Sequence, residues 1–162
     1  MSSKVSVLNR QARVAVDRRK IGTAARRILK LLGYEGCELT VVLVDDEEIT
    51  RLNRQYFRRN RSTNVISFPM IEGIPPSFPV QVLGDVIISA DTARRDAKIV
   101  GKRAGEEILF LLVHGILHLA GYDHEGARRE RLKMEEKERE LFARCKGPSR
   151  PLCSRRKRMP PG

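Results

Sequence analysis

The sequence predicts a single α+β domain, an α/β sandwich in which a four-stranded mixed sheet is packed by about five helices. Three observations lead there. The chain has 162 residues, enough for one compact domain with its own core and short of a comfortable two. Apolar residues make up 41% of it, so a hydrophobic core can form without disulfides. Strand-like and helix-like segments follow in the order β, α, β, α, β, β, α, α, α, without the strict alternation of an all-parallel sheet.

Val5 to Leu8 carries a short strand signal. From Asp17 to Leu32, apolar residues at Ile21, Ala24, Ala25, Ile28, Leu29 and Leu32 keep the three-and-four spacing of one buried helical stripe, and Gly33 supplies a stop. Glu38 to Val44 is rich in β-branched residues and reads as a strand. Asp45 or Asp46 can cap the helix that follows to Phe57. Arg58 to Ser62 is a basic turn, and Thr63 and Asn64 after it fix the entry to a strand over Val65 to Phe68, closed by Pro69. Three prolines and a glycine make Gly73 to Pro79 a loop. Gly84-Asp85 reads as the entry to a strand over Val86 to Ile88, with Asp85 either closing that turn or anchoring a histidine. Asp91 to Val100 is helical and ends at Gly101. Glu106 to Ala120 is apolar around most of its circumference, the mark of a central buried helix. Glu125 to Arg144 is a final amphipathic helix, dense in charge.

The formal net charge is +12, which argues for an anionic partner, most often nucleic acid. Six basic residues and no acid fall between Cys145 and Gly162, a stretch also rich in proline. The folded body is therefore expected over 1–144, and a disordered basic tail over 145–162, either an rRNA-binding arm or an end that does little. Cys37, Cys145 and Cys153 lie far apart and form no C-x-x-C pair, which excludes a zinc ribbon or redox dithiol and fits a reducing compartment. Met1 to Val16 lacks the apolar run of a signal peptide, and Ile108 to Ala120 is too short to span a bilayer. A soluble cytoplasmic protein with no membrane partner is expected.

The three histidines all lie within the eleven residues HGILHLAGYDH. His114 and His118, four apart on a helix, project from one face and can grip one metal ion. Gly121 lets the chain leave the helix in a left-handed conformation, so that His124 can return as a third ligand. Three neutral imidazoles leave one tetrahedral position open, the pattern of a catalytic rather than a structural zinc site. Nickel or copper would also suit imidazoles. Asp123 or Glu125 can orient a ligand imidazole from behind. The spacing H-x-x-x-H-x-x-G-x-x-H is shared with metzincin proteases, whose general base is a Glu directly after the first His. Here that position is Gly115, and Met134 falls inside the final helix pattern. The metal grip is shared, and the apparatus for cleaving peptides is missing.

With those residues in view, HGILHLAGYDH resembles the H-G-x-L-H-L-x-G-Y-D-H motif of the YbeY family, the bacterial rRNA-maturation endoribonucleases. LNRQYF (Leu52 to Phe57), STNVISFP (Ser62 to Pro69), LGDVIIS (Leu83 to Ser89) and KMEEKERE (Lys133 to Glu140) match further family segments in order. The resemblance spans roughly residues 5–143. It implies a zinc-bound, single-strand-specific endoribonuclease that processes ribosomal RNA, including the 3′ end of the small-subunit rRNA, and serves ribosome quality control. By match, His114, His118 and His124 are the metal ligands of one Zn2+. Ribosomal subunits are the implied setting, with ribosomal proteins or a ribosome-associated GTPase as partners. Two positions depart from the pattern. Many members place an activity-linked Arg directly after the Tyr of the L-N-x-x-Y segment, where this chain has Phe57. Arg58 and Arg59 follow at once and are the candidates for that catalytic role. Ser62 replaces a common Pro.

Read from the residues alone, Arg58, Arg59 and Arg61 crowd one short turn, and a guanidinium grips phosphate through a bidentate fork. Two other readings stand beside the nuclease. One is a non-enzymatic rRNA-binding assembly factor with a structural metal, favoured by the lack of an evident general base. The other is a metalloprotease-like hydrolase, opposed by Gly115.

Overall fold

The computed structural model describes residues 3–70, 82–123 and 126–146. Among them nine elements follow in the expected order: β1 (Lys4–Asn9), α1 (Arg18–Leu32), β2 (Glu38–Val44), α2 (Asp46–Phe57), β3 (Val65–Pro69), β4 (Val82–Ser89), α3 (Ala90–Ile99), α4 (Ala104–Leu119) and α5 (Arg128–Lys146). The four strands form one mixed sheet in the order β1-β2-β4-β3, with β1, β2 and β4 parallel and β3 antiparallel to β4. The central strands read as near-continuous apolar runs because both of their faces are covered.

Alternation along the strands sorts two cores. Leu39, Val41 and Leu43 of β2 and Val86 and Ile88 of β4 pack with α1, α4 and α5 in the larger one. Val42, Val44, Ile66 and Ile87 face the other way, onto Ile49 and Leu52 of α2. Helix α4 is buried at Ile108, Leu111, Leu112, Val113, Ile116 and Leu117, and touches the sheet, α1, α3 and α5. None of the described helices is long and apolar enough to cross a membrane. Cys37 and Cys145 are thiols, in no disulfide.

The ends of the helices follow local chemistry. Asp17 caps α1 by accepting from the Lys20 N–H at 3.1 Å, and Gly33 ends it. Of the two candidates for capping α2, Asp45 does so, through the Glu48 N–H at 2.9 Å. Asp46 does something else: its Oδ1 accepts from the Ser89 and Thr92 hydroxyls, both at 2.7 Å, and its Oδ2 pairs with Arg95 at 2.7 Å. The buried Asp91 accepts from the Asp46 backbone N–H at 3.0 Å and from Arg13 at 3.2 Å. Together these bonds tie the start of α2 to the start of α3.

The structure departs from the sequence reading in β4, which spans eight residues and includes Gly84 and Asp85. Gly84 lies opposite Pro69 of β3, with φ of 147°. A Cβ there would sit 2.4 Å from the Phe68 carbonyl oxygen, so the glycine marks a close strand approach rather than a turn. Asp85 correspondingly stands in the strand opposite Phe68, not in a turn. Helix α5 runs on to Lys146, whose ammonium pairs with Glu106 of α4 at 2.9 Å. The expected Gly73–Pro79 loop and the tail from residue 147 onward lie outside the described residues.

Gly115 sets the seat of α4. A Cβ there would meet Val86 Cγ1 at 2.6 Å and Ser67 Oγ at 3.2 Å, and its carbonyl accepts from the Ser67 hydroxyl at 2.9 Å. Val86 is fully buried and cannot swing away. Gly115→Ala should therefore lift α4 from the sheet and cost about 1–3 kcal/mol, read as a lower urea midpoint. An unchanged midpoint would contradict this packing.

Burial pushes the Asp46 carboxyl up, but hydrogen bonds from Arg95, Thr92 and Ser89, with the Arg95 charge, outweigh it and hold it below its ordinary value. A lowered folded-state value means stabilisation that is complete above the unfolded value and fades as pH falls through the folded one. Urea midpoints taken from about pH 6 down to about pH 3 should drop more steeply in wild type than in Asp46→Asn. Parallel slopes would show that this carboxylate contributes nothing to acid lability.

Candidate metal centre

The i, i+4 spacing does what helical geometry dictates. His114 and His118 stand on one face of α4, with ring centroids 4.6 Å apart and planes at 69°. Their Nε2 atoms are 3.1 Å apart. Two nitrogen ligands of a tetrahedral zinc, each about 2.0–2.1 Å from the ion, would lie about 3.3 Å from one another. The pair therefore suits a shared metal ion.

Behind His114, Glu138 of α5 places Oε2 2.5 Å from Nδ1. A carboxylate so placed favours the tautomer with the proton on Nδ1, the arrangement by which outer carboxylates orient metal-binding imidazoles. Glu138 is buried, 6% exposed, and shares its helix face with the buried Met134 and Leu141. The stripe that packs α5 onto α4 thus carries the orienting carboxylate. The sequence names Asp123 or Glu125 for orienting a ligand imidazole and does not single out Glu138. The carboxylate on His114 comes from α5, and Glu125 lies outside the described residues. What marks Glu138 in the sequence is its spacing: it takes the apolar position between Met134 and Leu141 in an otherwise charged helix.

Past His118 the helix closes in a Schellman motif. The Gly121 N–H donates to the His118 carbonyl and the Tyr122 N–H to the Leu117 carbonyl, both at 3.0 Å. Gly121 takes φ of 93°, the left-handed turn its lack of a side chain permits. The chain leaves α4 as the glycine suggests. His124 itself, the expected third ligand, lies outside the described residues.

Arg58 and Arg59 end α2. Arg58 caps it in the left-handed region, with φ of 56°, and its N–H donates to the Arg54 carbonyl at 3.0 Å. The Arg59 N–H reaches the Asn53 carbonyl at 3.3 Å, and the buried Asn53 side chain donates to the Arg61 carbonyl at 3.0 Å. Both arginines are exposed. Among the described residues, no hydrogen bond or ion pair joins either guanidinium to the imidazoles. Strand β3, which follows the turn, meets α4 through Ser67 beside His114. Asp85 lines a groove of about 280 Å³ with Arg10, Glu48, Tyr56 and Phe68, on the α2 side of the sheet, and burial pushes its carboxyl up.

Comparison with known proteins gives the family and the fold. The sequence model of the family described as Endoribonuclease YbeY matches residues 6–146. The Endoribonuclease YbeY of Geobacter metallireducens is 49% identical over 141 residues, covering 86% of this chain and 94% of that protein. Its counterpart from Aquifex aeolicus is 40% identical over 141 residues, covering 87% and 92%. The solution structure of TM1509 from Thermotoga maritima shares the fold, with a TM-score of 0.64 at 23% identity over 96% of this chain and 93% of that one. The long histidine motif, the mixed sheet and these relatives agree: the chain belongs to the endoribonuclease YbeY family.

Proposed function

We propose that this chain is a cytoplasmic, zinc-dependent endoribonuclease specific for single strands, acting in ribosomal RNA maturation, including the 3′ end of the small-subunit rRNA, and in ribosome quality control. Its family gives the reaction class, cleavage within an RNA chain. The observation that carries the metal is the imidazole pair with Nε2 atoms 3.1 Å apart and Glu138 behind one of them. His114, His118 and His124 would hold the ion. Bound there, zinc supplies Lewis acidity toward a phosphoryl oxygen or a water molecule.

The chain's own residues have definable tasks. Glu138 keeps the Nδ1 proton on His114 and fixes the ring's rotation. Arg58 or Arg59 would bind a backbone phosphate in a bidentate fork and offset charge building on it. Gly115 offers no carboxylate beside the first histidine, which separates this site from peptide-cleaving ones. Ribosomal subunits, with a ribosomal protein or a ribosome-associated GTPase, are the proposed setting.

Purified wild type should carry about one zinc per chain and cut single-stranded RNA, and His114→Ala should lose both. Wild type that holds zinc and cuts no RNA would contradict the nuclease reading and favour an assembly factor with a structural metal. Glu138→Leu keeps the buried stripe apolar and removes the acceptor. Its zinc affinity, measured against a competing chelator, should fall ~10–100-fold. Unchanged affinity would mean that Glu138 does not tune the site.

A further inference from the structure

Between Arg51 and Met70 the chain carries five arginines and no acidic residue. The same segment exposes aromatic rings. Tyr56 is 57% exposed and Phe57 48%, at the end of α2. Both lean on Phe68 of β3. The Tyr56 ring meets it edge-on at 5.1 Å, and the Phe57 ring stacks on it at 6.0 Å with planes 21° apart. One face of the cluster therefore rests on the protein while two rings remain open to solvent. Beside them Arg58, Arg59 and Arg61 make no ion pair among the described residues. Asn53 holds the backbone of this turn through Arg59 and Arg61, so it is shaped in advance.

Exposed planar rings with guanidiniums alongside are what single-stranded nucleic acid requires: π-faces for the bases and charge for the phosphates. An acidic or apolar protein partner would use the charge or the rings, whereas an RNA strand uses both. We propose that Phe57 and Tyr56, backed by Phe68, form a base-stacking platform for the RNA substrate, with Arg58, Arg59 and Arg61 gripping the adjoining phosphates. This deepens the endoribonuclease reading and rests on it. Neighbouring residues of a strand point to opposite faces, so Phe68 on the α2 side is followed back by Ser67 on the α4 side, against Gly115. In the described sheet β3 is one of the two edge strands. An RNA strand seated on the platform crosses that edge to reach the imidazoles.

The test compares binding of a nuclease-resistant 2′-O-methyl single-stranded oligonucleotide with that of an abasic oligonucleotide of the same length and backbone, by fluorescence anisotropy on the full chain. Wild type should prefer the base-bearing strand by about tenfold or more. Phe57→Leu, and independently Tyr56→Leu, should lose most of that preference, while abasic binding and its salt dependence stay as they are. Phe57→Tyr should retain it. If both leucine variants keep the preference, the platform is overturned and the nuclease reading stands. If wild type binds neither strand, the platform is overturned, and cleavage of unmodified single-stranded RNA decides the nuclease reading separately.

Discussion

Helix α4 lies so close to β3 and β4 at Gly115 that a single methyl group would collide with the buried Val86. The rest of the site is arranged around that approach. It lets the Ser67 hydroxyl reach the Gly115 carbonyl, and it fixes the height of His114, the residue before it, above the sheet. Packing supplies the force. Leu112, Val113, Ile116 and Leu117 are fully buried, and each such side chain contributes about 1.5–3 kcal/mol. A hydrogen bond to an ionised partner nets roughly 1.5–3 kcal/mol and must offset desolvation of the Glu138 carboxylate. Apolar burial therefore seats α4 and α5, and the His114–Glu138 contact orients a ring that packing has already placed.

The carboxylates divide by what surrounds them. Asp46 and Asp91 have hydroxyl, guanidinium and backbone partners on their oxygens, and their work is to join α2 to α3. Glu138 faces an imidazole whose other nitrogen stands beside a second imidazole. The first arrangement is closed on itself. The second joins side chains of α4 and α5 around His114, and the proposed metal site rests on it.

Local periodicity made much of this legible in the sequence. The stripe from Ile21 to Leu32, the Asp17 and Asp45 caps, the strand at Glu38–Val44 and the four-residue step between His114 and His118 all depend on neighbours within one or two turns. Elements that depend on distant neighbours read less well. Gly84-Asp85 has the composition of a turn, but β3 comes up against Gly84 and keeps the pair in the strand. Glu138 reaches His114 across 24 positions and hides among other acids, so only its place between Met134 and Leu141 distinguishes it. The arginines after Phe57 were visible as a basic turn, whereas their aromatic support requires β3 to fold back beside α2.

X-ray absorption at the zinc edge of the zinc-loaded full chain counts the ligands of the ion without regard to activity. Three imidazole nitrogens at about 2.0–2.1 Å and no sulfur are expected if His114, His118 and His124 hold the zinc, and only such a shell is consistent with it. A sulfur shell near 2.3 Å, or scattering from fewer than three imidazoles, would contradict it.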